Sequence, residues 1–138
     1  MTDWLWYIEG TNVLQTRFQT PSGSIVITDL MPVASEAEKR MLLLRDHEIL
    51  PIVECERGTA DIQMRLEPRI DDIEDGFVHA RIELRAGQIC HASLTFADDW
   101  PAVLPPLGEC SRQAVARSVA WWSLPQRASL LFTLARYF

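Results

Sequence analysis

Polar and apolar positions alternate with a period of two over much of this chain. Asp61-Ile62-Gln63-Met64-Arg65-Leu66-Glu67 has every even position apolar and every odd one polar. A half-buried strand demands this, because successive side chains project to opposite faces. The same alternation runs from Phe77 to Ala86, with Val78, Ala80, Ile82 and Leu84 on one face and His79, Arg81, Glu83 and Arg85 on the other. After Ala86-Gly87-Gln88 it resumes from Ile89 to Ala97 through Cys90, Ala92, Leu94 and Phe96, which reads as a hairpin. Upstream, Val13 to Phe18 and Ser24 to Met31 flank the turn residues Thr20-Pro21-Ser22-Gly23. Ile49 to Glu56 and Ala60 to Glu67 flank Arg57-Gly58-Thr59 in the same way.

The pattern therefore predicts three consecutive hairpins, about six strands, arranged as an antiparallel β-sandwich. Ala34 to Asp46 is rich in charge and reads as a solvated loop or one helical turn, and Asp98 to Gly108 is a proline-rich loop. From Glu109 the period becomes helical, with Val115, Val119 and Trp122 on one stripe, and Pro125 closes that helix. Leu130, Leu131, Leu134, Tyr137 and Phe138 form a second helical stripe. The chain divides into a partial β-sandwich over 1–108 and a C-terminal helical segment over 109–138.

Composition narrows the function without choosing it. Net charge is −6, from 13 Lys and Arg against 19 Asp and Glu, and the cations are scattered rather than clustered. That balance argues against nucleic acid or an anionic membrane surface as a partner. No apolar run approaches the ~20 residues of a membrane span, and Asp3 stands where a signal peptide needs positive charge. The three cysteines, Cys55, Cys90 and Cys110, are odd in number and widely spaced. That argues against a disulfide framework or a zinc site, and Cys55 and Cys90, within strand-like runs, read as small buried hydrophobes in a cytoplasmic protein.

Several phrases are more specific than alternation. They are Gly10-Thr11-Asn12-Val13-Leu14-Gln15-Thr16-Arg17-Phe18, Gly23-Ser24-Ile25-Val26-Ile27-Thr28-Asp29-Leu30-Met31-Pro32 and His47-Glu48-Ile49-Leu50-Pro51-Ile52-Val53-Glu54-Cys55. Leu66-Glu67-Pro68-Arg69-Ile70-Asp71 and Leu84-Arg85-Ala86-Gly87-Gln88, leading to Ala97-Asp98-Asp99-Trp100-Pro101, complete the set. In this order they resemble the N-terminal β-sandwich domain of bacterial family 15 glycoside hydrolases, the trehalases and glucoamylase-like proteins, over about residues 7 to 122.

The resemblance implies a non-catalytic domain, because in that family an (α/α)6 barrel carries the catalytic carboxylates. It implies no cofactor and, as partners, either that barrel or a second copy meeting the same exposed surface. The chain departs from the family in the short stretch Asp72-Ile73-Glu74-Asp75-Gly76, where further strands are usual. It departs again over 123–138, which suggests truncation, a frameshift or a decayed gene.

Glycoside hydrolysis needs two carboxyl groups at a defined separation, one of them raised in pKa. Glu48, Asp71, Asp98 and Asp99 are candidates by type, but no pair of them reads as catalytic. Arg69 and Asp71 read as a surface ion pair or a loop anchor. Asp98 and Asp99 beside Trp100 resemble a sugar subsite, so a carbohydrate-binding module for α-glucosides is the alternative function. Trp4 and Trp6 could also stack on sugar rings, whereas Trp121 and Trp122 are placed by the resemblance at the packing surface for the barrel. A subunit of a split α-glucoside hydrolase is a third reading. The histidines, His47, His79 and His91, lack ligand spacing and predict no metal.

Overall fold

The computed structural model describes residues 2–42, 48–66, 78–95 and 107–124. In chain order they form β1 (Thr2–Tyr7), β2 (Leu14–Thr20), β3 (Gly23–Leu30), α1 (Glu36–Leu42), β4 (Glu48–Leu66), β5 (Val78–Arg85), β6 (Ile89–His91), β7 (Leu94–Thr95) and α2 (Glu109–Trp122). The protein is mostly antiparallel β with a C-terminal helix, as the alternation and the helical period from Glu109 predict. The described strands belong to one seven-stranded sheet, in the order β1-β2-β3-β4-β5, with β6 and β7 also pairing β4.

One expected hairpin is present. β2 and β3 pair from Leu14↔Asp29 to Thr20↔Gly23 around the two-residue Pro21-Ser22 turn, where Thr20 Oγ1 accepts the Gly23 N–H at 3.2 Å. The other two expected hairpins are corrected. Arg57-Gly58-Thr59 does not reverse the chain; it lies inside the 19-residue β4. Nor does Ala86-Gly87-Gln88, because β5 and β6 do not pair with each other. They pair successive stretches of β4, from Leu66↔Val78 to Thr59↔Arg85 and then from Glu54↔Ile89 to Ile52↔His91.

The intervening residues stay in the ladder as a kink. Ala86 donates to Gly58 O, Gly87 donates to Cys55 O, and the Cys55 N–H donates to Gln88 O at 3.0 Å. Both Gly58 and Gly87 have positive φ, at 71° and 83°. A glycine in that region serves a bulge as well as a turn, so residue type alone does not separate the two. On the other edge of β4 the register with β3 shifts by one residue between Ser24 and Ile25. Side chains on β4 therefore change sides there: Leu50 and Ile52 share the face of Leu30 and Thr28, whereas Ile62 and Met64 belong to the opposite one.

The core sits where α2 covers the sheet. Val13, Leu30, Leu50 and Ala114 are buried together, with Ile8, Ile52, Val115 and Val119 packed around them. Fully burying one side chain such as Leu50 is worth roughly 1.5–3 kcal/mol. The buried side of α2 is narrow and made of small residues, Ser111, Ala114 and Ser118. Val115 and Val119 of the expected stripe border it. Ser118 Oγ accepts the Val33 N–H at 3.1 Å, tying α2 to the segment after β3.

Two elements escape the alternation. β1 lies in an apolar run, Trp4-Leu5-Trp6-Tyr7, without a period of two. α1 occupies the charged stretch read as a loop or a single turn. It begins with a reciprocal cap, in which Glu38 N–H donates to Ser35 Oγ at 3.3 Å and Ser35 N–H donates to Glu38 Oε2 at 2.9 Å. The Ser-x-x-Glu spacing is the legible signal for that helix start. Leu130 to Phe138 lie outside the described residues. Among the described residues no helix is long and apolar enough to cross a membrane.

Candidate functional site

The strongest polar constellation lies on the ribbon made by β5 and the second half of β4. Register places Thr59, Asp61, Gln63 and Arg65 opposite Arg85, Glu83, Arg81 and His79. All point away from Ile62, Met64, Ile82 and Leu84, since alternate residues take opposite faces. Arg81 grips Asp61 with both arms of its guanidinium, Nε donating to Oδ1 at 2.9 Å and Nη2 to Oδ2 at 2.5 Å. Beside them opens a cleft of about 590 Å³ bordered by Ser22, Thr59, Asp61, Glu83, Arg85 and Gln88.

Asp61 and Glu83 are direct cross-strand partners. Such residues have Cβ atoms about 4.5–5.5 Å apart, close to the carboxyl separation of a retaining glycosidase. The electrostatics point the other way. The Arg81 hydrogen bonds and charge hold the Asp61 carboxyl below its ordinary value, against a smaller opposing effect of desolvation. A general acid needs the reverse shift. Asp61 stays a carboxylate, able to accept hydrogen bonds from a polar ligand but not to protonate a leaving oxygen.

A second surface carries aromatics. Trp4 and Trp6 share one face of β1 with Arg17 and Gln15 of β2, their cross-strand partners. The Arg17 guanidinium lies 5.8 Å from the Trp6 ring centroid and its Nη2 is 2.6 Å from Glu56 Oε1. Gln15 Nε2 donates to Thr28 Oγ1 at 3.2 Å. Exposed rings beside fixed polar groups can take the apolar face of a sugar and hydrogen-bond its hydroxyls.

Of the residues singled out from sequence, Asp98, Asp99 and Trp100 lie outside the described residues, as do His47, Arg69 and Asp71. Trp121 and Trp122 form the last turn of α2 and meet edge to face, with centroids 4.9 Å apart and planes at 77°. Trp121 borders an open groove with Val33, Glu38, Arg117 and Leu124. Glu48, at the start of β4, accepts a hydrogen bond from Ser93 Oγ at 2.8 Å, which gives it a structural partner. His79 pairs with Arg65 across the ribbon, whereas His91 pairs with Ile52 near the core. Among the described residues no three His, Cys, Asp or Glu side chains converge as a metal site. Cys55 is fully buried at the kink and Cys90 half-buried.

The Asp61–Arg81–Glu83 cluster is not apparent from sequence. Alternation puts these residues on polar faces, but their meeting depends on the register between β4 and β5. No family model, curated protein or solved structure matches this chain.

Proposed function

We propose that this chain is a non-catalytic β module of the trehalase- and glucoamylase-like glycoside hydrolases, packing beside an (α/α)6 barrel in the cytoplasm. The observation that carries this reading is the second apolar face of the sheet. α2 covers the face of Leu30 and Leu50; the opposite face presents Phe18, Ile25, Ile27, Val53 and Cys90, which register places side by side. None of these belongs to the core under α2. A sheet apolar on both faces is suited to lie between two bodies. The ordered phrases from Gly10 to Pro101 supply the family, and the ionised Asp61 is consistent with the absence of turnover.

The test mixes the purified chain with a separately expressed family 15 barrel and follows complex formation by size-exclusion chromatography. A stable complex is expected, lost in Ile27→Glu while the far-ultraviolet circular dichroism is kept. Release of glucose from trehalose or maltose by the chain alone would sink the reading.

The pairing of Trp4 and Trp6 with Arg17 favours carbohydrate binding as a second role. It predicts that millimolar maltose or trehalose changes the tryptophan fluorescence and that Trp6→Ala removes the change. An unaltered spectrum in the native chain rules this role out.

A further inference from the structure

We infer that β1 is a self-pairing edge, through which two copies of this chain join their sheets about a two-fold axis at Leu5. Among the described residues β1 is paired on one side only, by β2. The Ile8 N–H donates to Val13 O at 2.9 Å, and the register continues through Tyr7↔Leu14 and Trp6↔Gln15. In an antiparallel ladder alternate residues turn both backbone groups to the same neighbour. Trp4 and Trp6 therefore bond β2, and Asp3, Leu5 and Tyr7 direct their N–H and C=O groups outward.

The side chains along that edge are large and uncovered: Trp4 is 47 % exposed, Leu5 64 %, Trp6 36 % and Tyr7 60 %. Natural edge strands are protected by lysine, proline or a bulge. From Trp4 to Tyr7 β1 has none of these.

The occupant follows from the order of the residues. Trp4-Leu5-Trp6 reads the same in both directions. An isologous contact requires a patch that matches itself, and a two-fold axis normal to the sheet keeps each face on its own side. Centred on Leu5, it sets Trp4 against the partner's Trp6 on one face and Leu5 against the partner's Leu5 on the other. The outward groups of Asp3, Leu5 and Tyr7 then meet in register, so backbone hydrogen bonds and aromatic cross-strand pairs form together. The exposed parts of these four side chains come to about 400 Å² per copy, since a whole aromatic residue buries ~150–250 Å². Pairing can bury at most about 800 Å² in total, below the ~1,200 Å² of stable interfaces, so the association is a weak, concentration-dependent one. Each copy carries a net charge of −6, so screening by salt strengthens it.

The inference does not rest on the carbohydrate reading, and its test uses the chain alone. Sedimentation velocity from about 1 to about 100 µM should show the mass rising from 15.8 kDa towards twice that value, more steeply in high salt. Leu5→Lys places like charges on the axis and should leave a monomer at every concentration, as should Leu5→Glu. An equimolar mixture of the two variants should recover the dimer, a rescue that also shows both are folded. A native chain that stays monomeric, a Leu5→Lys dimer, or a mixture that stays monomeric overturns the proposal.

Discussion

Gly23 and Gly58 are register partners that meet without a side chain between them, at the point where β3 begins and β4 kinks. A Cβ on Gly58 would run into the Ser22 carbonyl oxygen and lie 2.9 Å from the Gly23 Cα. One on Gly23 would meet the Arg57 carbonyl oxygen and lie 2.8 Å from that of Thr59. The Thr59 N–H donates to Ser22 O at 3.0 Å, fixing the β2–β3 turn against the kink. This close approach lets one strand serve two neighbours in succession.

Gly58→Ala should therefore be costly on two counts, the left-handed backbone and the collision. A loss of about 2–4 kcal/mol is expected, against about 1–2 kcal/mol for Gly87→Ala, where the added Cβ meets open space. Urea unfolding of both variants measures the difference; equal losses would mean that the two backbones part at no cost.

Two serines on α2 should respond in opposite ways. Ser118→Ala leaves the Val33 N–H without its acceptor and should cost about 1–3 kcal/mol. Ser111 is equally buried, but its hydroxyl has no hydrogen-bond partner among the described residues. Ser111→Ala should be neutral or stabilising, because it removes an unpaid desolvation. Thermal melts of the two variants check the contrast.

Burial pushes the Asp29 carboxyl above its ordinary value. A raised folded-state pKa means that the folded chain binds the proton more readily than the unfolded one. Asp29 therefore detracts from stability at neutral pH, and the penalty shrinks as pH falls through the folded value towards the unfolded one, about 4. Asp29→Asn should raise the melting temperature at pH 7, with the gain fading below about pH 4. A gain that grows on acidification contradicts this sign.

The Asp61–Arg81 pair carries the opposite sign. Its lowered pKa stabilises the fold above the unfolded value, and the contribution disappears as pH falls through the folded one. Carboxyl carbon chemical shifts should show Asp61 titrating below an ordinary aspartate, and Arg81→Gln should move the midpoint up. An unmoved midpoint would assign the shift to something other than the guanidinium.

The strand faces were legible because alternation is a local property: Ile62, Met64, Ile82 and Leu84 take one side of the ribbon, and Asp61, Arg81 and Glu83 the other. The β2–β3 hairpin was legible too, since Pro21 and Ser22 connect strands whose lengths match. The start of α1 carries a local signal in Ser35 and Glu38, which the high charge of that stretch masks when it is read as a loop.

Local pattern could not say whether Gly58 and Gly87 reverse the chain or bend it, because a positive φ serves both and the choice depends on which strand lies opposite. Nor could it bring Arg81 to Asp61 or align Trp4 and Trp6 with Arg17, since cross-strand neighbours exist only once register is set. The sequence by itself determined which side chains share a face and where α2 begins. The tertiary structure decided which edges meet, for hydrogen bonds between strands join residues that the chain holds far apart.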